Sequence, residues 1–210
     1  MHNMRRRALC SASARHDTFN VPAGVSIVTK NGEFIPYEDW SGNNPIGVCV
    51  KDSRIGSIIL DLESKDVKWT ESDGSIEGIP ISASESIILN YMDGLAYTAS
   101  MLRKTSSTKC AAGYATSRSI YINGVYYIGY VASSGEWSVL MEYDESIAEA
   151  FQLIGSNFIG SAASRYFWTS VQSSNTQAWH FAFNANGGFT KFSTNNKTSY
   201  SYVRAVYKYE

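Results

Sequence analysis

Hydrophobic and polar positions change their period twice along this chain, dividing it into strands, then helices, then strands again. The first regular stretch, VPAGVSIVTKNGEFIP at residues 21–36, sets the β-rich GVSIVT before a KNG turn and the returning EFIP, which predicts a hairpin. IGVCVKDSRIGSIILDL adds two short, β-branched strands around the turn KDSRIG. The polar, turn-rich WTESDGSIEGIPISASES reads as a loop or surface excursion. The period then becomes helical. In SIILNYMDGLAYTASMLRKT, Ile88, Tyr91 or Met92, Leu95, Thr98 or Ala99 and Leu102 recur on one face, with Gly94 as a weak point. A second helix is predicted from Ser134, capping SGEWSVLMEY. A third starts at Asp144, capping ESIAEAFQLIG, where Ile147, Phe151 and Ile154 share a face and Gly155 is the stop. After Phe167 the period falls to two. Trp179, Phe181 and Phe183 point one way, His180, Ala182 and Asn184 point the other, and Val203 and Val206 close a last strand. With no repeat and no internal linker, this order predicts one α+β domain with a mixed or antiparallel sheet. It spans residues 21–210, behind a flexible or docking arm at 1–20.

Composition narrows the function classes. At 44% apolar and 13% aromatic residues the chain can bury a real core, so disorder is not expected. A formal charge of -1 argues against a nucleic-acid partner held by bulk charge. The distribution of charge says more: residues 150–209 hold Arg165, Lys191, Lys197, Arg204 and Lys208 but not one carboxylate. The opening MHNMRRRALCSASARHD has the basic flank of a signal peptide without its apolar middle, so export by this segment is not expected and the chain is read as made in the cytoplasm. No window offers the roughly 18 to 20 apolar residues of a membrane span. Cys10, Cys49 and Cys110 are odd in number and lack CxxC spacing, which predicts reduced thiols rather than a disulfide framework or a zinc site, with Cys49 packed in a strand.

Catalytic chemistry leaves little trace. HExxH, GxSxG, GxxxxGK and a glycine-rich dinucleotide turn are all missing. Ser106 and Lys109 match SxxK without its companion motifs. His2, His16 and His180 are scattered, and Glu33, Glu38, Asp39, Asp61 and Glu63 show no pair spacing, so they read as soluble surface. No catalytic residue, metal ligand or cofactor is expected, and the chain is read as a non-enzyme. His180 alternates onto the polar face of its strand, as a contact residue or a solvated surface histidine.

Five blocks then acquire meaning together: VPAGVSIVTKNGEFIPYEDW, NPIGVCVKDSRIGSIIL, GVYYIGYVASSGEWSVLMEYDESIAEAFQLIG, YFWTSVQSSNTQAWHFAF and KTSYSYVRAV. In this order they resemble a family of C-type-lectin-like domains common in gut bacteria and their phages, over most of the chain from residue 21 to 209. The family's middle block reads like GWYLPSAGEW and its later blocks like YWSSTE, AW and VRPV. Here Ala132 replaces the first proline, Thr169 and Ser170 the serine pair, and Ala205 the final proline. The resemblance implies a C-type-lectin-like fold with two to three helices. Many members resemble variable proteins of diversity-generating retroelements, which rewrite adenine-containing codons near the 3′ end of a gene. On that reading Trp168, Trp179, Phe181, Phe183, Val203 and Val206 are scaffold within a variable region at residues 168–206. The resemblance carries the binding role to Ser173, Ser174 and Asn175, to His180, Ala182 and Asn184, and to Thr190, Phe192, Thr194 and Asn195. Tyr, Ser and Asn suit such a surface because they supply adaptable contacts at low entropic cost. A water-facing edge hairpin would be just as rich in Ser, Thr and Asn, and Phe189 and Phe192 fit either an exposed contact or burial.

The calcium-binding triplets of sugar-binding C-type lectins are absent, so calcium-dependent glycan binding is not implied. The implied partner is a protein or glycan receptor on a cell surface, bound by a phage or prophage tail protein that is virion-associated. Docking to a larger assembly through residues 1–20, or a homo-oligomer such as a trimer, goes with that role. A bacterial surface adhesin, exported by some other route, and a purely structural tail or baseplate module are the alternatives. A catalyst like the formylglycine-generating enzymes, which use paired cysteines, is a further one.

Overall fold

The computed structural model describes residues 21–156, 158, 164–184 and 188–210; the arm expected at 1–20 lies outside them. Its centre is an eight-stranded sheet in the order β2-β1-β3-β4-β10-β7-β8-β9. The strands are β1 (Gly24–Thr29), β2 (Phe34–Pro36), β3 (Pro45–Asp52) and β4 (Gly56–Lys68), then β7 (Ser164–Gln172), β8 (Gln177–Asn184), β9 (Phe189–Asn196) and β10 (Tyr200–Tyr209). Neighbours run antiparallel except β10 and β7, which lie parallel with Tyr202 beside Phe167. A separate hairpin joins β5 (Ser119–Ile122) to β6 (Val125–Ile128). The fold is thus α+β with a mostly antiparallel sheet, as the order of periods predicts.

Between the strand runs lie α1 (Glu85–Ile88), α2 (Gly94–Lys104), α3 (Ala111–Ser117), α4 (Ser134–Leu140) and α5 (Asp144–Leu153). The first predicted helix is two. Asp93 caps α2 by accepting from the Ala96 N–H, so Gly94 opens a helix rather than weakening the middle of one. The glycine is needed there, since a Cβ would sit 2.3 Å from Glu136 Oε2 and 2.8 Å from the Val131 carbonyl. The predicted cap at Ser134 falls on Ser133 instead, which forms a reciprocal capping box with Glu136. Asp144 is the first residue of α5, not its cap; its Oδ2 accepts the Phe189 N–H at 2.9 Å and so ties the helix to β9. Gly155 ends α5 with φ of 70°, as expected.

Both faces of the sheet are covered. On one, Ile27, Val48, Leu60, Phe167, Phe181 and Phe183 meet Trp137 and Leu140 of α4 and Phe151 of α5. On the other, Cys49, Ile59, Val67, Trp168 and Val203 meet Met101 of α2 and Ala111 and Ala115 of α3. Each of these large apolar side chains contributes about 1.5–3 kcal/mol by leaving water. β10 shows the consequence most directly. It sits mid-sheet, and residues 203–207 are buried without interruption rather than alternately. Arg204 lies inside this run, its guanidinium 4.7 Å from the Phe151 ring centre and 4.9 Å from that of Phe158, donating to the Asp61 and Phe158 carbonyls. Burial lowers its pKa to about 10.

Candidate recognition surface

The predicted binding positions fall on the arm formed by β7, β8 and β9 and on the turn at residues 173–176. Trp168, Trp179, Phe181, Phe183, Val203 and Val206, expected as scaffold, are all buried. Trp179 and Phe181 lie on the face toward α4, where the Trp137 and Phe181 ring centres are 4.3 Å apart. Trp168 and Val203 belong to the opposite face.

The expectation that the residues alternating with this scaffold face water is corrected at four positions. His180 and Ala182 are buried, because the opposite face of β8 is roofed by its own neighbours. The His180 ring stacks between Tyr166, at 4.7 Å, and Trp168, at 5.4 Å, with Nδ1 3.4 Å from Ser201 Oγ. Burial lowers its pKa to about 4, so the ring is neutral at pH 7. Phe192 packs into the core beside Phe181 and Phe189, which settles both aromatics of this polar stretch on the side of packing. Ser173 is buried where the turn begins. Asn184 ends β8, and its side chain lies outside the described residues.

The remaining predicted positions are accessible, and three of them lie on or beside the 173–176 turn. Asn175 is exposed and Ser174 half-buried on the turn, while Asn195 is half-buried on the last part of β9, paired with Ala178 just after the same turn. Thr176 and Asn196, both exposed and outside the predicted set, complete this polar rim. Thr190 is exposed at the far end of β9, its Oγ1 donating to the Ala182 carbonyl at 3.0 Å, and Thr194 is half-buried opposite Trp179. Two further accessible side chains went unselected: Lys191, opposite Ala182, and Tyr166, 39% exposed above His180. The paired register of β7, β8 and β9 places them, and a single strand's period does not contain it.

The rim is built on a fixed base. The turn closes through Ser173 and Ser174 N–H groups donating to the Gln177 carbonyl at 3.0 and 3.1 Å, and Ser174 Oγ accepts the Thr176 and Gln177 N–H groups. Gln172, fully buried, accepts the Ile76 N–H and donates to the Ile76 and Ile79 carbonyls, pinning the 70–82 excursion beneath the turn. Trp179 Nε1 donates to the Ser82 carbonyl at 2.7 Å.

The candidate chemistry elsewhere does not assemble. Ser106 and Lys109 are exposed on the link between α2 and α3. Asp61 is structural rather than surface: it takes Arg118 at 2.9 and 3.0 Å and the Tyr207 hydroxyl. Its burial raises the carboxyl pKa, but the Arg118 and Tyr207 hydrogen bonds outweigh that and hold it below the ordinary value. Among the described residues, no three His, Cys, Asp or Glu side chains form a metal set, and no helix is long and apolar enough to cross a membrane.

A solved structure shares this architecture. The chain is similar in fold to a fimbrial protein from Bacteroides ovatus ATCC 8483, with a TM-score of 0.65 at 13% sequence identity. The likeness covers 90% of this chain and 49% of that one, so the present chain spans about half the length of the fimbrial protein. No protein-family model and no curated protein sequence matches the chain.

Proposed function

We propose that the chain is a non-enzymatic recognition module with a C-type-lectin-like fold, displayed on a surface, that binds a protein or glycan receptor through the rim at residues 173–176 and β9. One observation carries the reading: a polar rim free of carboxylates, Ser174, Asn175, Thr176, Asn195 and Asn196, stands on aromatic and aliphatic anchors that are all buried. A surface so divided lets contacts change without touching the core, since exposed substitutions usually stay within about 0.5 kcal/mol. The resemblance to variable proteins of diversity-generating retroelements explains why such exchange would be useful. The fold likeness to a fimbrial protein favours a bacterial surface adhesin over a virion tail protein, by analogy of fold alone. Against a cysteine-dependent catalyst, Cys49 and Cys110 are buried, and desolvation raises both thiol pKa values, which makes them poor nucleophiles and metal ligands.

Sequencing the 3′ end of the gene and its flanks across many isolates tests the diversified form of this reading. Differences are expected to gather at Ser174, Asn175, Thr176, Thr190, Thr194 and Asn195. The buried His180, Ala182 and Phe192 should be as constant as Trp179 and Phe181. An invariant segment with no copied template nearby removes diversification and leaves a fixed adhesin or a structural module.

A further inference from the structure

Lys197 is buried in full, yet among the described residues no carboxylate forms an ion pair with it. Its ammonium meets three oxygens instead: Gln172 Oε1 at 2.7 Å, the Gly74 carbonyl at 2.8 Å and the Asn175 carbonyl at 3.1 Å. The Trp69 ring centre lies 5.0 Å away, and an aromatic face also attracts a cation. The three oxygens come from the 70–82 excursion, the end of β7 and the turn carrying the rim. The Lys197 main chain holds the same parts, its N–H donating to the Thr176 carbonyl and its carbonyl accepting the Trp69 and Thr70 N–H groups.

We propose that Lys197 is a tethered cation and the positioning residue of the rim: its ammonium fills an oxygen cage that fixes the 173–176 turn, and the cage, emptied of the side chain, accepts a small free ammonium ion. Converging carbonyl oxygens around a buried positive charge, with no anion among them, are the contacts by which a protein also holds a bound cation. A buried charge is tolerated only when its donors are satisfied, and here three N–H donors face three acceptors. Burial pulls the group's pKa down to about 8. The other charges that act on it are Asp73, which favours the ammonium, and Lys104, which opposes it. The cage does not depend on the recognition reading; the value of fixing the turn does.

The test is hydrogen exchange of Lys197→Ala, with methylammonium chloride compared against tetramethylammonium chloride at equal ionic strength. The amides to follow are those of Gly74, Ser173, Ser174 and Lys197, which donate to Asn175, Gln177, Gln177 and Thr176 carbonyls. Lys197→Ala is expected to speed their exchange at least tenfold while leaving the Val48 and Ile59 amides of β3 and β4 unchanged. Methylammonium should restore protection and tetramethylammonium, which has no N–H, should not. Lys197→Met, which keeps an unbranched side chain but removes the donors, should exchange as fast as Lys197→Ala. If Lys197→Ala folds only in methylammonium, the cage stands. Rescue by neither salt, equal rescue by both, failure to fold in either, or wild-type protection in Lys197→Met would overturn it. None of these readouts uses a receptor, so failure of the recognition reading leaves them unchanged.

Discussion

His180 lies buried where its spacing predicts a polar face, and that setting makes it sensitive to pH. Two-residue alternation assigns it to the polar side of β8, but Tyr166 and Trp168 enclose it from the neighbouring strand. Its folded-state pKa of about 4 lies below the ordinary 6.5, so the unfolded chain binds more protons between these values. Stability from this group is therefore complete above pH 6.5 and lost as pH falls through 4. Urea unfolding at pH 7 and pH 5 is expected to show that loss, and His180→Phe, which keeps the stack, should shrink it. An unchanged difference between the two pH values in His180→Phe would assign the acid sensitivity to other groups. For Lys197 no local pattern carries a signal, because only the fold brings Gly74 and Gln172 to its ammonium.

At the scale of elements, most of the chain's order was legible because local rules and packing agree. The cap expected at Ser134 falls one residue earlier, on Ser133, whereas the stop at Gly155 and the strands of VPAGVSIVT and WHFAF are each set within a few residues. The break between α1 and α2 was not, since Ile88, Leu95 and Leu102 keep a helical period straight through Asp93. The β5 and β6 hairpin is not among the predicted elements; Asn123 and Gly124 both take positive φ there, of 50° and 87°, the signature of a tight hairpin turn. Gly94→Ala tests the packing that sets the break. The added Cβ meets the Ser133 N–H and Val131 carbonyl, backbone groups that cannot rotate away, as well as Glu136. A loss of about 1–3 kcal/mol is expected by chemical denaturation, the usual cost of overpacking. Ser133→Ala should cost about 1–2 kcal/mol through the lost cap, and a neutral result would show that Glu136 alone holds the start of α4.

For the whole molecule, the two-sided burial of the sheet is what single-strand patterns conceal, and it redraws the candidate site. Of the ten positions given a binding role, the nine whose side chains are described divide between core, strand face and rim, because β7 and β8 lie inside the sheet and β9 forms one of its edges. Scaffold and rim should respond to mutation independently. Phe181→Ala removes a ring packed against Trp137, Phe167 and Phe183 and is expected to cost about 3–5 kcal/mol. The rim, by contrast, should change binding without changing stability. The decisive measurement is binding of the chain to a printed array of glycans and mucin glycoproteins, beside the triple variant Asn175→Ala, Asn195→Ala, Asn196→Ala with its melting temperature recorded. The account predicts that the parent chain binds at least one spot, and that the variant melts within a few degrees of it yet binds at least tenfold less. A variant that binds as well as the parent would contradict a recognition role for this rim, and an array with no bound spot would contradict a glycan receptor.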